Sequence, residues 1–506
     1  MKSRMLCTNA ITLLAVLACA TRLAAQDKPD PHQHHHYKLI DLGTLGGPLS
    51  LYPAFQLALN NQGAVAGCAD TSVSDPNYPN FNLFLTVYQF PLAGPNAYIF
   101  HGFKWQQGAL NDLGALPGVN SSCVNWLNGR GDAAGLSENG AIDPLTGWPE
   151  VEAVLWKDGQ VTPLGTLGGN ESFASAMNNR DQVVGPALNA IPDPISMLGA
   201  GTQTRAFLWD KENGMQDLGT LGTGNDAFAV SVNEHGEVAG FSFTDSTSSP
   251  PQHSFIWKKD RGMRDLGTFG GTYSQATAIN NRGQVIGSSD LEGGNARHPF
   301  FWSQGRLKDI GTFGGVFGNA NFLNDAGEVV GYGGLPGDQV THAMHAFRWK
   351  WKDGELTDLG TVGGDQCSEG WGINSKGQVV GHSGACDFSA TRATLWKDGG
   401  PMVDLNTLVT PGSVLQLLIA YSINDRGEIA GDGILANGDT HAFLLIPCDE
   451  SHPSIEGCDY SMVDTPAAVT QTSSAVRNPS SCTLPPSIMR RMGRYHLPGP
   501  ALGPKN

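Results

Sequence analysis

Histidine and aspartate recur at fixed places along this chain of 506 residues. An H-x-F phrase places a histidine at His101, His253, His298, His345 and His441, and aspartates open a recurring D-L-G phrase. A carboxylate and an imidazole can form a hydrogen-bonded bridge, whereas several imidazoles gathered together could bind a metal ion. Equivalent residues of successive repeats lie apart from one another, so we expect a buried bridge between the third and fourth strands of each unit.

A second group of histidines lies near the N-terminus, at His32, His34, His35 and His36. Four imidazoles within five positions of a flexible segment can bind soft or borderline metals, which makes this segment a candidate metal site. A solvated spacer is the alternative. No cofactor is expected elsewhere in the chain.

One stretch partly resembles the nucleophile turn of a serine hydrolase, Gly381-His382-Ser383-Gly384-Ala385. That turn requires a helix directly after the serine, and the sequence predicts none here. The stretch also falls in the register of a repeat, which makes it part of a strand. The chain contains no phosphate loop, no H-E-x-x-H and no usual calcium loop. We therefore expect no catalytic residues and no enzyme activity.

The repeat itself has three phrases in fixed order: D-L-G-T-L-G-G, an asparagine followed seven residues later by glycine, and H-A-F-L-W or a variant. Every unit keeps the asparagine and the glycine. The asparagines are Asn60, Asn128, Asn178, Asn233, Asn280, Asn324, Asn374 and Asn424. The matching glycines are Gly67, Gly135, Gly185, Gly240, Gly287, Gly331, Gly381 and Gly431. Periods of this length are typical of propellers and solenoids.

Within each unit, short runs of alternating apolar and polar residues are separated by turns rich in Asn and Gly. This pattern predicts four short antiparallel strands per unit. Residues 279–284 have the pattern of a three-residue hairpin loop with Gly283 in the left-handed conformation. Seven units have glycine there and one has Asp181, a residue type that tolerates this conformation. The recurring Phe and Trp of the third strand are expected to fill the layers between sheets.

The two ends of the repeat array complement each other. Residues 37–42 have the pattern of a fourth strand without the first three, and the last unit ends after its third strand at 441–445. Pairing of these two fragments would remove both exposed sheet edges. The sequence therefore predicts an all-β fold, a β-propeller of eight four-stranded blades closed by the N-terminal strand over residues 37–446.

The remaining regions have other compositions. Residues 1–25 have Lys2 and Arg4, an apolar run from Ile11 to Ala18 and small residues after it, which predicts a secretory signal peptide. Residues 26–36 form the His-rich, flexible segment, and residues 447–506, rich in Ser, Thr and Pro, predict a largely disordered tail. Lipidation at Cys19 is a weaker alternative to simple cleavage. We expect an exported protein, extracellular, on the cell surface or periplasmic.

Net charge and hydropathy limit the kinds of binding partner that the sequence allows. The formal net charge of −16 disfavours a nucleic-acid partner. No segment after the signal approaches the length of a transmembrane helix. The oligomeric state is open.

Seven of the nine cysteines lie beyond the signal segment, where disulfides can form. Cys367 and Cys386 flank a hairpin and form the best candidate pair. Cys448 with Cys458, and Cys68 with Cys123, are further candidates, although connectivity does not follow from the sequence alone.

These phrases, with His-Ala-Phe at 345–347 and 441–443, resemble the bacterial extracellular HAF-repeat family. The resemblance covers the repeat array and implies an exported repeat protein. It implies no reaction, cofactor or catalytic residues. Glu152, Arg205 and Arg392 replace the histidine in three units, which argues against histidine as an obligatory ligand.

The longest insertions fall between the second and third phrases of the first three units. Loops on one face of a repeat array commonly form its binding surface. The first insertion carries aromatic residues suited to stacking on a ligand, and we assign ligand binding to Tyr78, Phe81, Phe84, Tyr88 and Phe90. They could instead pack on the repeats.

The sequence thus predicts a non-enzymatic protein that binds a protein, peptide or glycan through one face. The alternatives are a propeller hydrolase or lyase, which would need a tight polar cluster near the ring axis, and a cell-surface scaffold.

Overall fold

The structure, a computed structural model, describes residues 33–53, 57–78, 97–118, 120–144, 147–397, 399–410 and 412–464. Strands dominate it. Its described helical elements are one turn of α-helix, α1 (Asp338–Thr341), and a 3-10 turn at Leu405–Thr407. None of its described helices is long and apolar enough to cross a membrane.

Most strands are short, as the alternating pattern predicts. In chain order the first are β1 (Gln33–His35), β2 (Tyr37–Asp41), β3 (Gly46–Leu51), β4 (Val65–Ser74), β5 (Tyr98–Gln106), β6 (Ala109–Gly114), β7 (Ser122–Leu127), β8 (Ala133–Ile142), β9 (Pro149–Lys157), β10 (Gln160–Pro163), β11 (Gly168–Ser172), β12 (Ala176–Met177), β13 (Val183–Pro192), β14 (Thr202–Asp210), β15 (Gly214–Asp217) and β16 (Ala227–Val232). The others are β17 (Val238–Phe243), β18 (Gln252–Lys258), β19 (Gly262–Gly267), β20 (Gly270–Ile279), β21 (Val285–Leu291), β22 (Arg297–Ser303), β23 (Arg306–Asp309), β24 (Gly318–Leu323), β25 (Glu328–Gly334), β26 (Met344–Lys350), β27 (Leu356–Asp358), β28 (Cys367–Ile373), β29 (Val379–Gly384), β30 (Thr391–Trp396), β31 (Val403–Asp404), β32 (Leu415–Ile423), β33 (Ile429–Leu435), β34 (Thr440–Pro447) and β35 (Met462–Asp464).

These strands pair as consecutive antiparallel sheets of four main strands. Sheet 1 contains β3–β6, sheet 2 β7–β10, sheet 3 β11–β15, sheet 4 β16–β19, sheet 5 β20–β23, sheet 6 β24–β27 and sheet 7 β28–β31. Sheet 8 contains β32, β33 and β34, and its fourth strand is the N-terminal β2. A single parallel bridge between Gln252 and Tyr273 joins sheets 4 and 5. The all-β prediction and the four-stranded units are confirmed.

Apolar layers between successive sheets hold the fold together. One layer joins Phe301 of sheet 5 to Phe347 and Trp349 of sheet 6, and another joins sheet 8 through Leu444 to sheet 1 through Phe103. The phenylalanines of the third strands are fully buried, as expected for core residues. Each buried aromatic contributes about 1.5–3 kcal/mol relative to an exposed one. This face-to-face packing of meander sheets supports the β-propeller prediction.

The repeat asparagines link neighbouring sheets. In sheet 5, Asn280 accepts hydrogen bonds at Oδ1 from the backbone of Arg282 and Gln284, which closes the hairpin loop. Its Nδ2 donates to the main-chain carbonyl of Asn324 in the next unit at 3.0 Å. The same link to the next repeat asparagine is made by Asn60, Asn178, Asn233, Asn324, Asn374 and Asn424.

The repeat glycines occupy positions without space for a side chain. A Cβ on Gly381 would overlap the carbonyl oxygen of Glu369 on the first strand. Gly287 stands in the same relation to Gln275. Because the first strand bulges beside this glycine, its backbone lies too close for alanine. Packing therefore accounts for the glycine column.

The hairpin loops have the predicted backbone. Gly283 has φ +68°, and Asp181 has φ +59° at the equivalent position of sheet 3. Both values lie in the left-handed region, which glycine adopts without a steric cost and aspartate tolerates. This prediction is confirmed.

The structure differs from the sequence-based boundaries at both ends. Gln33–His35 was expected to be flexible but forms β1, which pairs with β35. Residues 447–464 were assigned to a largely disordered tail, yet they hold a disulfide and β35. The predictions for 1–32 and 465–506 lie outside the described residues. Strand β1 pairs with β35 about 430 residues later in the chain, and local composition does not reveal such a distant partner.

All three candidate disulfides form. Cys68–Cys123 joins sheets 1 and 2, Cys367–Cys386 spans the hairpin of sheet 7, and Cys448–Cys458 closes a loop after sheet 8. The Cα–Cα distances are 4.9, 5.1 and 5.5 Å, within the range of disulfides.

Candidate functional site

A small pocket opens where the first strands of sheets 6, 7 and 8 meet. Its lining residues are Leu57, Asn321, Phe322, Trp371, Gly372, Ile373, Tyr421, Ser422 and Ile423. Aromatic and aliphatic side chains with a few neutral polar groups form this lining. Such a composition is typical of sites for small organic groups.

The residue three positions before each repeat asparagine is equivalent in every unit, and in sheets 2 and 4–8 it lies on the first strand. In most units it is small or aliphatic or carries an amide or hydroxyl. Asn125, Thr277 and Asn321 each donate to a main-chain carbonyl of the next sheet. Sheets 7 and 8 have Trp371 and Tyr421 here instead, with ring centroids 5.9 Å apart in an edge-to-face arrangement. These two rings form one wall of the pocket.

Behind this wall, sheet 7 places a carboxyl opposite an imidazole. Glu369 on β28 pairs in register with His382 on β29, so their side chains lie on the same face of the sheet. Glu369 is completely buried, and neither carboxyl oxygen has a hydrogen-bond partner among the described residues. Burial raises the pKa of Glu369 to about 8. The carboxyl is therefore protonated at neutral pH.

His382 is held from two sides. The indole N–H of Trp371 donates to His382 Nδ1 at 3.1 Å. On the other side the ring of Phe388 lies 5.1 Å from the imidazole, in the loop after β29. Burial lowers the pKa of His382 to about 4, so the ring is neutral at physiological pH.

A second buried carboxyl lies in sheet 8. Asp432 Oδ1 accepts a hydrogen bond of 2.8 Å from the backbone N–H of Tyr52, and burial raises the pKa of Asp432 well above its ordinary value. The ring of Tyr52 stacks on Tyr421 at 5.9 Å. These contacts join sheets 7, 8 and 1. We call the residues that make them the inner cluster: Tyr52, Glu369, Trp371, His382, Tyr421 and Asp432.

The inner cluster can transfer protons. A neutral carboxylic acid with a pKa near 8 can protonate a leaving group and later accept a proton. The neutral imidazole beside it can donate or accept a hydrogen bond. Among the described residues, no group of three or more His, Cys, Asp or Glu side chains is arranged to hold a metal ion.

The recurring histidines form bridges, as predicted, and not a common site. His253 Nδ1 donates to Asp265 at 2.8 Å, and His441 Nδ1 donates to Asp41 at 2.8 Å, across the third and fourth strands. His101, His298 and His345 make the same contact with Asp112, Asp309 and Asp358. These carboxylates are partly exposed, so the bridges lie nearer the surface than expected.

The N-terminal histidines do not converge. His34 and His35 are neighbours on β1, so they point to opposite faces, and His34 is fully buried. His36 lies 3.5 Å from Asp459 instead. His32 lies outside the described residues. The predicted metal site is therefore not formed by the described histidines, because strand pairing separates them.

Of the predicted ligand-binding aromatics, Tyr78 lies among the described residues. Tyr78 is 37% exposed after β4, whereas Phe81, Phe84, Tyr88 and Phe90 lie outside the described residues. In sheets 1, 2 and 3 the insertions lengthen the second strands, β4, β8 and β13, to ten residues. Each carries an exposed aliphatic residue near its end: Val73, Ile142 and Ile191.

Residues 381–384 lie in strand β29, as predicted, and not in a nucleophile turn. Within β29, Ser383 Oγ donates to Asp365 at 2.9 Å. His382, which the sequence analysis treated as part of this repeat, is the residue that enters the inner cluster. Glu369, Trp371, Tyr421 and Asp432 were missed entirely.

A sequence pattern could have found them. At the position of Glu369 the other units include Cys123, Phe173, Phe228 and Asn319, and at the position of His382 they include Leu136, Phe241 and Tyr332. The unit that forms sheet 7 thus departs from the repeat at two positions, Glu369 and His382, which pair across neighbouring strands. Departures toward titratable residues at core positions indicate a site more directly than the repeated residues do.

No family model matches the chain, and no curated protein matches it. Among solved structures, the dipeptidyl peptidase 4 of Porphyromonas gingivalis has a TM-score of 0.41 and 9% identity, over 68% of this chain and 56% of that one. A puromycin-hydrolysing peptidase of Mycobacterium tuberculosis has a TM-score of 0.37 and 11% identity, over 80% and 61%. The oligogalacturonate lyase of Vibrio parahaemolyticus has a TM-score of 0.31 and 10% identity, over 60% and 84%.

The prediction of a non-enzymatic binding protein finds no support among these neighbours, which are peptidases and a lyase. The chain spans less than two thirds of the length of both peptidases. At such low similarity no substrate or catalytic residue is carried over to this chain.

Proposed function

We propose that this protein is a hydrolase or lyase in which Glu369 acts as general acid beside the pocket of sheets 6–8. The observation that carries the proposal is the fully buried carboxyl of Glu369, without a hydrogen-bond partner among the described residues and opposite the neutral His382. A tight polar cluster is what a propeller enzyme would need, and the pairing of Glu369 with His382 supports this proposal.

Packing alone gives no reason for this carboxyl. Burying a polar group without a partner costs about 1–3 kcal/mol. Sheets 3 and 4 place Phe173 and Phe228 at the equivalent positions, where they belong to an apolar cluster. A residue that destabilises the core at one unit of a repeat is best explained by chemistry at that unit.

The chemistry follows from the protonation states. Below pH 8 the Glu369 carboxyl can donate its proton to the leaving group of a bond being cleaved, and the resulting carboxylate can take a proton from water or from the substrate. His382 supplies a neutral ring that can hydrogen-bond the developing charge. Both hydrolysis and elimination use this pair of proton transfers.

Access to the two groups involves the short loop after β29. Phe388 covers His382, and its φ of +60° is unfavourable for a bulky side chain. The loop holds only a few residues between β29 and β30. Because His382 and Glu369 are buried, the proposal requires side chains that cover them to move when substrate binds, and Phe388 beside His382 is one of these.

The test compares two matched carboxyl variants. Glu369→Gln keeps the shape and the neutral state of the side chain but removes the acidic proton that could be transferred. Glu171→Gln is the control, because burial also raises the pKa of Glu171 to about 8, in sheet 3. Peptide nitroanilides, neutral oligosaccharides and oligouronides are the substrates.

We expect cleavage by the wild type, a loss of about 100-fold or more in E369Q, and no loss in E171Q. The wild-type rate should also decrease as the pH rises through about 8. Equal rates for wild type and E369Q, or no cleavage of any substrate class, would overturn the proposal.

We further propose that sheets 1–8 are the eight blades of a closed propeller. Pairing of β2 with β34 supports this, as does the apolar layer between sheets 8 and 1. The hydrogen bond from Asn424 in sheet 8 to Asn60 in sheet 1 supports it as well. In such a ring the inner cluster lies beside the axis.

Export is also part of the proposal. Three disulfides support an oxidising compartment, which agrees with the predicted signal peptide and with the resemblance to HAF-repeat proteins. Expression of the full chain in a bacterial host, followed by fractionation, tests it. Recovery of unprocessed protein from the cytoplasm alone would contradict export.

A further inference from the structure

The position of Trp371 is used differently from its equivalents in other units. Asn125, Thr277 and Asn321 each donate to a main-chain carbonyl of the following sheet. At this position in sheet 7, the indole N–H of Trp371 instead donates to His382 Nδ1 within its own sheet, at 3.1 Å. The side chain at this position in sheet 7 therefore also contacts a titratable residue, in addition to the ring of Tyr421 in sheet 8.

The direction of this hydrogen bond determines the state of the imidazole. An indole N–H is a donor only, so His382 Nδ1 must accept and cannot carry a proton. A neutral imidazole carries one proton, which must then lie on Nε2. We propose that Trp371 is a positioning residue that holds His382 in the tautomer protonated at Nε2, so that Nε2–H is the fixed donor of the site.

The surrounding contacts keep Trp371 in place. Its ring meets the edge of Tyr421 at 5.9 Å, and Tyr421 stacks on Tyr52 at the same distance. The indole and imidazole rings lie 24° from parallel, and His382 is 1% exposed. A flip of the imidazole would take the acceptor away from a buried indole N–H, which is unfavourable.

The inference rests on the proposed function for its consequence in catalysis, but the tautomer can be measured without a substrate. The experiment uses the mature protein labelled with ¹⁵N at histidine and long-range ¹H–¹⁵N spectra. Comparison with His382→Gln assigns the His382 signals. Trp371→Phe removes the N–H but keeps an aromatic ring, and Trp396→Phe is the control, a buried tryptophan on β30 of the same sheet.

We expect the wild-type spectrum to show an unprotonated Nδ1 and a protonated Nε2 from pH 5 to 9. In W371F the two tautomers should mix, with a shift of the Nδ1 resonance, whereas W396F should keep the wild-type pattern. With an active substrate, kcat should decrease about tenfold in W371F with little change in KM, as expected when a transition-state interaction is weakened.

A wild-type spectrum with the proton on Nδ1 would overturn the inference, as would a W371F spectrum identical to wild type. The wild-type spectrum alone tests which nitrogen of His382 carries the proton, even if W371F folds poorly. Absence of any substrate turnover would refute the enzyme proposal while the tautomer result stands. Conversely, an active enzyme with the other tautomer would refute only the role of Trp371.

Discussion

Asn424 Nδ2 donates a hydrogen bond of 2.9 Å to the main-chain carbonyl of Asn60, 364 positions earlier in the chain. The geometry equals that of the links between sequence neighbours, such as Asn233 to Asn280 at 3.0 Å. One repeated residue thus performs the same two tasks in successive units, closing its own loop and holding the next sheet.

This equivalence can be tested by stability. Asn424→Ala and Asn233→Ala each remove one link between sheets and two hydrogen bonds to the backbone of the loop. We expect each variant to lose about 2–3 kcal/mol of unfolding free energy, because a buried carbonyl loses its donor. Urea titration measures both. A clearly smaller loss for N424A than for N233A would contradict a closed ring.

The histidine–aspartate bridges predict a response to acid. Burial raises the pKa of Asp265, but hydrogen bonds from His253 and from the backbone of Gly267 outweigh it, so the pKa lies below its ordinary value. Such a carboxylate stabilises the fold above the pKa of the unfolded chain, about 3.9, and this contribution is lost as the pH falls through the lower folded value. Asp265→Asn should therefore be less stable than wild type at pH 7, with a smaller difference at pH 3.

Urea midpoints at the two pH values check this prediction. Asp260→Asn is the control, since the Asp260 side chain is 75% exposed. A difference between wild type and D265N that stays constant from pH 7 to pH 3 would count against the bridge as the cause.

The buried carboxyl of Glu369 predicts the opposite trend. Its pKa rises on folding from 4.5 to about 8, so the folded state binds the proton more strongly than the unfolded state. The stabilisation is complete below pH 4.5 and is lost as the pH rises through about 8, with a slope of up to about 1.4 kcal/mol per pH unit. Glu369→Gln cannot ionise and should gain stability relative to wild type between pH 5 and 8.

Glu171→Gln should behave in the same way, because burial also raises the pKa of Glu171 to about 8. Denaturation curves at several pH values measure both variants. If E369Q and E171Q share this stability trend and only E369Q loses activity, the loss reflects chemistry and not folding. A flat difference across this pH range would show that Glu369 ionises in the folded protein as it does in the unfolded chain.

Phe388 shields His382 from solvent. Replacement by glycine removes the ring 5.1 Å from the imidazole and suits the left-handed backbone at this position. Because burial lowers the pKa of His382 to about 4, Phe388→Gly should raise it toward 6.5, measured by NMR titration. Ser389→Gly, in the same loop, should leave it unchanged. An unaltered pKa in F388G would show that other residues keep water away.

The disulfides predict a defined peptide map. Digestion of the mature protein without reductant should yield the linked pairs 68–123, 367–386 and 448–458. Removal of Cys68–Cys123 should cost about 2–4 kcal/mol, and removal of Cys448–Cys458 less, because the first bridge closes a loop of 55 residues and the second a loop of 10. A partner other than Cys123 for Cys68 would contradict the arrangement of sheets 1 and 2.

The sequence alone determined the features that depend on local backbone geometry and on periodicity. Alternation placed the strands, and the left-handed loop position followed from Gly283 and Asp181. Cys367 and Cys386 could be paired because a single hairpin brings them together. Each of these depends on residues within about twenty positions, where a chain has few conformational choices.

Only the tertiary structure decided the inner cluster and the ends. Glu369 and His382 meet through strand register, but Tyr52, Tyr421 and Asp432 join them through contacts between sheets up to 380 residues apart. His34 likewise became a buried strand residue through pairing with Val463. Side-chain contacts across sheets depend on how the sheets pack, which residue types and spacing do not specify, so the buried carboxyl of Glu369 became visible only in the folded protein.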